Sequence, residues 1–147
     1  MYKLVINLHI VVSCVFLILA TAVLSRSIYG WIKAKAYGPT DNYLSIGVII
    51  FLYFQLISGI LLYFFLRPQL TDANLTLAEV NERSTLQFWA IEHLGLMLFA
   101  IMLTQLGRLF IRRTQNDRRK YKNTTFYYGV SFVLALVSIG IAVIKQY

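Results

Sequence analysis

Charged residues are scarce in this chain and absent from long parts of it. It has 14 Lys and Arg and 6 Asp and Glu in 147 residues, or 14% charged, against roughly 25% in a soluble domain. None occurs in residues 4–25, 42–66 or 123–144, and residues 84–107 contain only Glu92. Each stretch exceeds the ~20 residues that a helix needs to cross a bilayer. This composition excludes an ordinary soluble enzyme and a disordered chain.

Cysteine and histidine are also rare. Cys14 is the single cysteine, so no disulfide framework exists, and we interpret it as a small buried hydrophobe. The chain has no Cys/His zinc spacing and no Gly-rich phosphate loop, and its two histidines form no convincing Ser-His-Asp set. A hydrolytic or nucleotide-dependent enzyme is therefore not expected, and no catalytic residue is assigned.

The charge-poor stretches predict an all-α fold, an integral membrane four-helix bundle running up-down-up-down. We interpret the first stretch as a mature transmembrane helix and not as a cleaved signal peptide, because Asn7 and His9 interrupt its apolar run. Serines such as Ser58 and Ser138 are interpreted as packing residues. The prediction is one transmembrane domain over residues 1–147, with spans at about 4–25, 43–66, 84–108 and 123–144.

Turn and capping signals set the expected helix ends. Gly38-Pro39 should break the chain between the first two spans, with Thr40 or Asp41 capping the second. Residues 76–79 have capping-box spacing, which predicts a short surface helix in the middle loop. Residues 84–87 repeat this signature, so the third span is expected to begin at Ser84.

The net charge of +8 indicates topology here and not nucleic-acid binding. Lys and Arg exceed acidic residues in the first and third loops but not in the middle loop. Because such an excess marks cytoplasmic loops, both termini and the middle loop should face outside. The basic run at residues 108–122 should meet anionic lipid headgroups. Nucleic acid is not an expected partner.

The two histidines lie inside predicted spans one and three. His9 is about 7.5 Å along its helix from Leu4, and His93 about 13.5 Å from Ser84, at 1.5 Å per residue. Parallel spans would place them at similar depth in the outer leaflet. Two imidazoles at one level could ligate a b-type haem, and the cations that could pair with its propionates are Lys3, Arg67, Arg83 and Lys145. A plain structural role, another metal or a quinone site stay open as alternatives.

Helical spacing indicates which residues lie near the two histidines. Trp89 and Met97 lie four residues from His93 on its face, although a Met at this spacing is usually core filler. Tyr53 could pack against a cofactor, and Ser13 could hydrogen-bond across helices. Glu92 points to another face. It should pair with Lys3, a neighbouring hydroxyl or a residue of another subunit, or take up a proton.

The sequence resembles small bacterial four-helix membrane proteins known as cytochrome b. The motifs that carry the resemblance are Asn7-Leu8-His9, residues 55–64 (QLISGILLYF), residues 88–93 (FWAIEH), Met97, Ala100 and Gly107-Arg108. The resemblance implies haem b ligation by His9 and His93. It also implies a multi-pass protein of the bacterial inner membrane. Relatives tend to have a histidine where Tyr53 or Phe54 stands here, and a Pro/Trp-containing end in place of residues 142–145.

The sequence is compatible with two functions. The leading hypothesis is an electron-transfer protein with one bis-histidine haem b near the outer face, which exchanges electrons with a quinol or a larger membrane redox complex. The alternative is a cofactor-free accessory or assembly subunit, whose histidines would hydrogen-bond to helix neighbours. Partners expected in either case are the lipid bilayer and a larger complex or a second copy of the chain.

Overall fold

The chain folds into four α-helices. The computed structural model describes residues 2–66 and 77–145, with side chains for residues 4–64 and 90–141. Each helix contains a segment long and apolar enough to cross a membrane, which confirms the all-helical class and indicates a multi-pass membrane protein. The helices are α1 (Tyr2–Ile32), α2 (Pro39–Leu66), α3 (Leu77–Arg113) and α4 (Asp117–Lys145).

The turn before α2 is built on the Gly38-Pro39 pair, as predicted. Pro39 is the first helical residue, a position where its missing N–H costs nothing. The amide of Gly38 donates to Asp41 Oδ2 at 3.0 Å, and Asn42 closes the first turn on the Gly38 carbonyl. Gly38 is therefore the cap residue, and Asp41 is a first-turn residue that bonds back to it. The predicted cap at Thr40 or Asp41 was placed too late.

Helices α3 and α4 both begin earlier than the sequence analysis expected. Helix α3 runs without interruption from Leu77 through Ser84, so the prediction of a separate short surface helix was wrong. No Gly or Pro lies in residues 77–84 to end a helix. Helix α4 begins at Asp117, where Asn116 Oδ1 accepts the amide of Arg119 at 3.0 Å and caps the helix.

The interior of the bundle combines large apolar side chains with small ones. The packed neighbours are α1 with α2, α2 with α3, α3 with α4 and α4 with α1. Buried apolar residues include Phe16, Val48, Leu52 and Met97. Many large apolar side chains face outward instead, which suits helices surrounded by lipid. Cys14 is exposed among them, so its interpretation as a buried hydrophobe was wrong.

Candidate functional site

The two histidines of the chain lie beside each other inside the bundle. His9 comes from α1 and His93 from α3, and both are half-buried. Their ring centroids are 6.0 Å apart, with 71° between the ring planes. Helices α1 and α3 are not among the main packed pairs, so the imidazoles bridge the bundle interior from opposite sides. The structure thus brings together the pair that the sequence placed at similar depth.

His9 is held by two side chains of α2. Its Nδ1 lies 2.8 Å from Ser58 Oγ, and its Nε2 lies 3.2 Å from Gln55 Nε2. The Ser58 hydroxyl donates to the Gln55 carbonyl oxygen at 3.1 Å, so we assign it as acceptor from His9 Nδ1–H. The Gln55 amide then donates to Nε2. This assignment leaves the Nε2 lone pair of His9 as the basic site of the ring.

His93 is held in the same manner by α4. Its Nδ1 lies 2.5 Å from Ser138 Oγ, and Ser138 is buried. Each histidine therefore has a buried serine from the neighbouring helix at its Nδ1. Ser58 and Ser138 were predicted only as packing residues, and their hydroxyls also contact the imidazoles and orient them. All four helices contribute to this histidine–serine cluster.

Gln55 is the second polar element of the cluster. Its amide nitrogen also contacts Ser13 Oγ, which confirms that Ser13 bonds across helices, and Ser13 donates to the His9 carbonyl at 2.7 Å. The Gln55 side chain is buried, and within the described residues its Oε1 has no hydrogen-bond partner. A buried acceptor of this kind is costly unless something donates to it. Gln55 Oε1 is therefore an acceptor in the cluster that is available to a further donor.

The other predicted cofactor residues lie in several places. Met97 is buried in the apolar core. Tyr53 is exposed and accepts a hydrogen bond from Gln105 at 2.9 Å. Glu92 is exposed, next to His93. Arg67 lies outside the described residues, as do the side chains of Lys3, Arg83, Trp89 and Lys145.

The donor set suits some metal centres and not others. Within the part of the chain that the structure describes, no three His, Cys, Asp or Glu side chains gather to hold a metal ion. A structural zinc site takes four protein ligands and a catalytic one takes three. A haem brings four ring nitrogens of its own and needs only axial ligands from the protein. Two imidazoles from opposite helices therefore fit haem better than a bare ion.

A second polar cluster lies at the other end of the bundle and was missed by the sequence analysis. Asp41 is buried and accepts from Arg26 Nε at 2.7 Å. The Tyr121 hydroxyl lies 3.0 Å from Asp41 Oδ2 and 3.1 Å from the Ala36 carbonyl oxygen. The nearby Arg108 donates to Asn42 at 2.6 Å. These contacts join the four helices at the end of the bundle where the basic residues concentrate. We interpret their role as structural.

Comparison with known proteins gives no assignment, since no protein-family model, curated protein or solved structure matches the chain. The fold and the site define the class directly. The protein has four helices able to span a membrane, with an interior histidine–serine cluster to which every helix contributes.

Proposed function

We propose that the protein is a membrane b-type cytochrome in which His9 and His93 are the axial ligands of one haem b. The observation that carries the proposal is the 6.0 Å separation of the two imidazole centroids. A metal–nitrogen bond is about 2 Å, and the centroid of an imidazole lies roughly 1 Å behind its nitrogen. Two imidazoles that ligate one metal from opposite sides therefore have centroids about 6 Å apart.

The hydrogen bonds of the cluster support the same role. A ligating histidine almost always donates its other ring N–H to an acceptor, which fixes the tautomer and the ring orientation. Ser58 and Ser138 occupy this position at the Nδ1 atoms of His9 and His93. The Nε2 of each ring would then be the ligating atom. For His9 this requires Gln55 to give up its contact with Nε2.

The chemistry that haem would supply is one-electron transfer. If His9 and His93 both held the haem iron, no coordination site would remain for a substrate, so we propose that the protein transfers electrons and catalyses no reaction. Quinol or a larger membrane redox complex is the proposed partner. Arg67 and Arg83 are proposed to pair with the propionates.

We also propose a topology. Residues near the ends of α1 and α3 contact residues near the starts of α2 and α4, as in the pairs Arg26–Asp41 and Asn42–Arg108. This pattern supports an up-down-up-down arrangement. The basic excess at that end supports a cytoplasmic location for it. The termini, the histidine cluster and the middle loop would then lie toward the outside of a bacterial inner membrane.

An absorption spectrum of the purified protein, oxidised and reduced, tests the haem. We expect a b-type band in protein expressed with ample haem, and its loss in His9→Phe and His93→Phe, which keep an aromatic ring but remove the ligand. Met97→Leu is the matched control and should retain the band, because Met97 is core. Ser58→Ala and Ser138→Ala should weaken haem affinity by about 10–100-fold. A folded parent protein that lacks both the band and iron would overturn the proposal.

The second candidate is an accessory subunit without cofactor. The observation in its favour is that both histidines already hydrogen-bond to buried serines, so the cluster can be a satisfied interior network. It predicts a colourless preparation and copurification of a larger complex from native membranes. Iron in stoichiometric amount would exclude it.

A further inference from the structure

We propose that a groove between α1 and α4 is a binding site for one anionic glycerophospholipid. The groove has a volume of about 440 Å³ and an almost wholly apolar lining. Trp31 of α1 forms one wall, and Phe126, Gly129 and Val133 of α4 form part of the other. This inference does not depend on the haem, because the groove and the histidine cluster share no residue.

The groove has the polarity of a phospholipid along its length. Its α4 wall is formed by residues 122, 125, 126, 129, 130 and 133, whose spacing places them along one face of the helix. The face begins with the exposed cation Lys122 and becomes apolar at Phe126 and beyond. Arg118 and Arg119 lie one turn before Lys122 on the same face and are exposed. A phosphate at the cationic end would place an acyl chain in the apolar part.

The groove lies where α1 packs against α4. The hydroxyl of Thr125, a lining residue, lies 3.0 Å from the hydroxyl of Ser27 on α1. This contact joins the two helices beside the groove. Gly129 lies against α1, where an added Cβ would come within 3.6 Å of Leu24 Cδ2. That is an ordinary contact distance, so α4 packs directly on α1 at this lining residue.

Charge favours a lipid over a second copy of the chain in this groove. Two copies packed through the same face in one membrane would bring their cationic ends, including Lys122, close together. A lipid phosphate has the opposite charge. Since lipid tails are as apolar as the groove, burial of the tail alone gives little preference. Discrimination should come from the headgroup, at about fivefold for one Lys near the membrane surface.

The test is native mass spectrometry of the full chain in mild detergent, titrated with phosphatidylglycerol or with phosphatidylcholine of the same acyl chains. We expect one phosphatidylglycerol bound per chain in preference to phosphatidylcholine. Lys122→Gln should reduce that preference by about fivefold. Lys33→Gln removes the same charge from an exposed position outside the groove and should leave the preference within twofold.

Filling the groove tests its apolar part. Gly129→Leu and Val133→Trp should both abolish the retained lipid, and Val133 is 55% exposed, so its replacement leaves the core intact. Gly140→Leu is the control on the same helix, where an added Cβ meets nothing within 4 Å. Equal effects of Lys122→Gln and Lys33→Gln would overturn the proposal in favour of diffuse surface charge. Dimers of the parent chain that disappear in Val133→Trp, with lipid binding unchanged, would assign the groove to a second copy.

Discussion

The role of a histidine in an apolar helix depends on the groups that its two ring nitrogens contact. The sequence located His9 and His93 and predicted that they share a level, but it did not identify their partners. Ser58 and Ser138 look like any other small residue on a membrane helix, and such residues usually serve packing. Whether a serine contacts a particular imidazole depends on the axial register between neighbouring helices. Turns and caps set this register. That register is not readable from local spacing.

At the same scale, Ala34 is in a conformation that suits glycine. It has φ of 48° after the last turn of α1, and the amide of Lys35 bonds to the Gly30 carbonyl at 3.0 Å, which is the Schellman pattern. The left-handed conformation costs an L-residue roughly 1–2 kcal/mol. We predict that Ala34→Gly stabilises the protein by about 0.5–1 kcal/mol after the greater flexibility of glycine in the unfolded chain is deducted.

Thermal unfolding in detergent measures this effect, and Ala36→Gly is the matched control. Ala36 is exposed and lies two residues away without positive φ, so its replacement gains nothing in the folded state and should destabilise. If both variants shift the unfolding midpoint downward, Ala34 does not carry the inferred strain.

At the scale of the helices, the apolar pattern predicted four helices able to cross a membrane, but it did not predict where those helices end. Helix α1 continues to Ile32 and α4 begins at Asp117, each several residues beyond the apolar stretch. Charge marks where a helix leaves the bilayer, but it does not end the helix. Only a break such as Gly38-Pro39 or a cap such as Asn116 does so. The charge-poor stretches therefore predicted that each helix can cross a membrane, but they did not predict the helix lengths.

Close packing of α4 against α1 depends on Gly30. A Cβ at this position would overlap ring carbons of Tyr121. The ring cannot move away freely, because its hydroxyl contacts Asp41 and the Ala36 carbonyl. We predict that Gly30→Ala destabilises the protein by about 1–3 kcal/mol, as overpacking does, although alanine is the better helix former.

Unfolding of the variant by SDS or heat measures the loss, with Gly95→Ala as control. Gly95 is exposed on α3, and an added Cβ there meets nothing within 4 Å, so helix propensity alone should make that change neutral or slightly stabilising. Equal changes in stability for the two variants would show that the α1–α4 contact adjusts to a Cβ at residue 30 and does not depend on glycine.

At the scale of the whole molecule, polar contacts concentrate at two levels of an apolar bundle. One level holds the histidines with Ser58 and Ser138, and the other holds Asp41 with Arg26 and Tyr121. Buried polar groups in apolar surroundings fix which helices meet and at what height, because an unpaired group is expensive there. The two levels therefore specify the register of all four helices, which apolar packing alone would leave free to slide.

The distribution of charge predicts the orientation of the protein in the membrane. Cys14 is the only cysteine, so a Cys14→Ser background accepts single reporter cysteines. We choose Lys35→Cys and Gln115→Cys in the basic loops and Asn74→Cys in the middle loop. Because a Lys/Arg excess is retained on the cytoplasmic side, a membrane-impermeant maleimide added to spheroplasts should label Asn74→Cys alone, and the other two only after permeabilisation.

The three reporters together distinguish orientation from helix number. Labelling of Lys35→Cys and Gln115→Cys in intact spheroplasts, with Asn74→Cys protected, would keep four spans but invert them, and the histidine cluster would then lie toward the cytoplasm. Labelling of Lys35→Cys without Gln115→Cys would mean that the two basic loops lie on opposite sides, which four spanning helices do not allow. Only the predicted pattern places the cationic end of the bundle, with Arg108 and Lys122, at the anionic cytoplasmic leaflet.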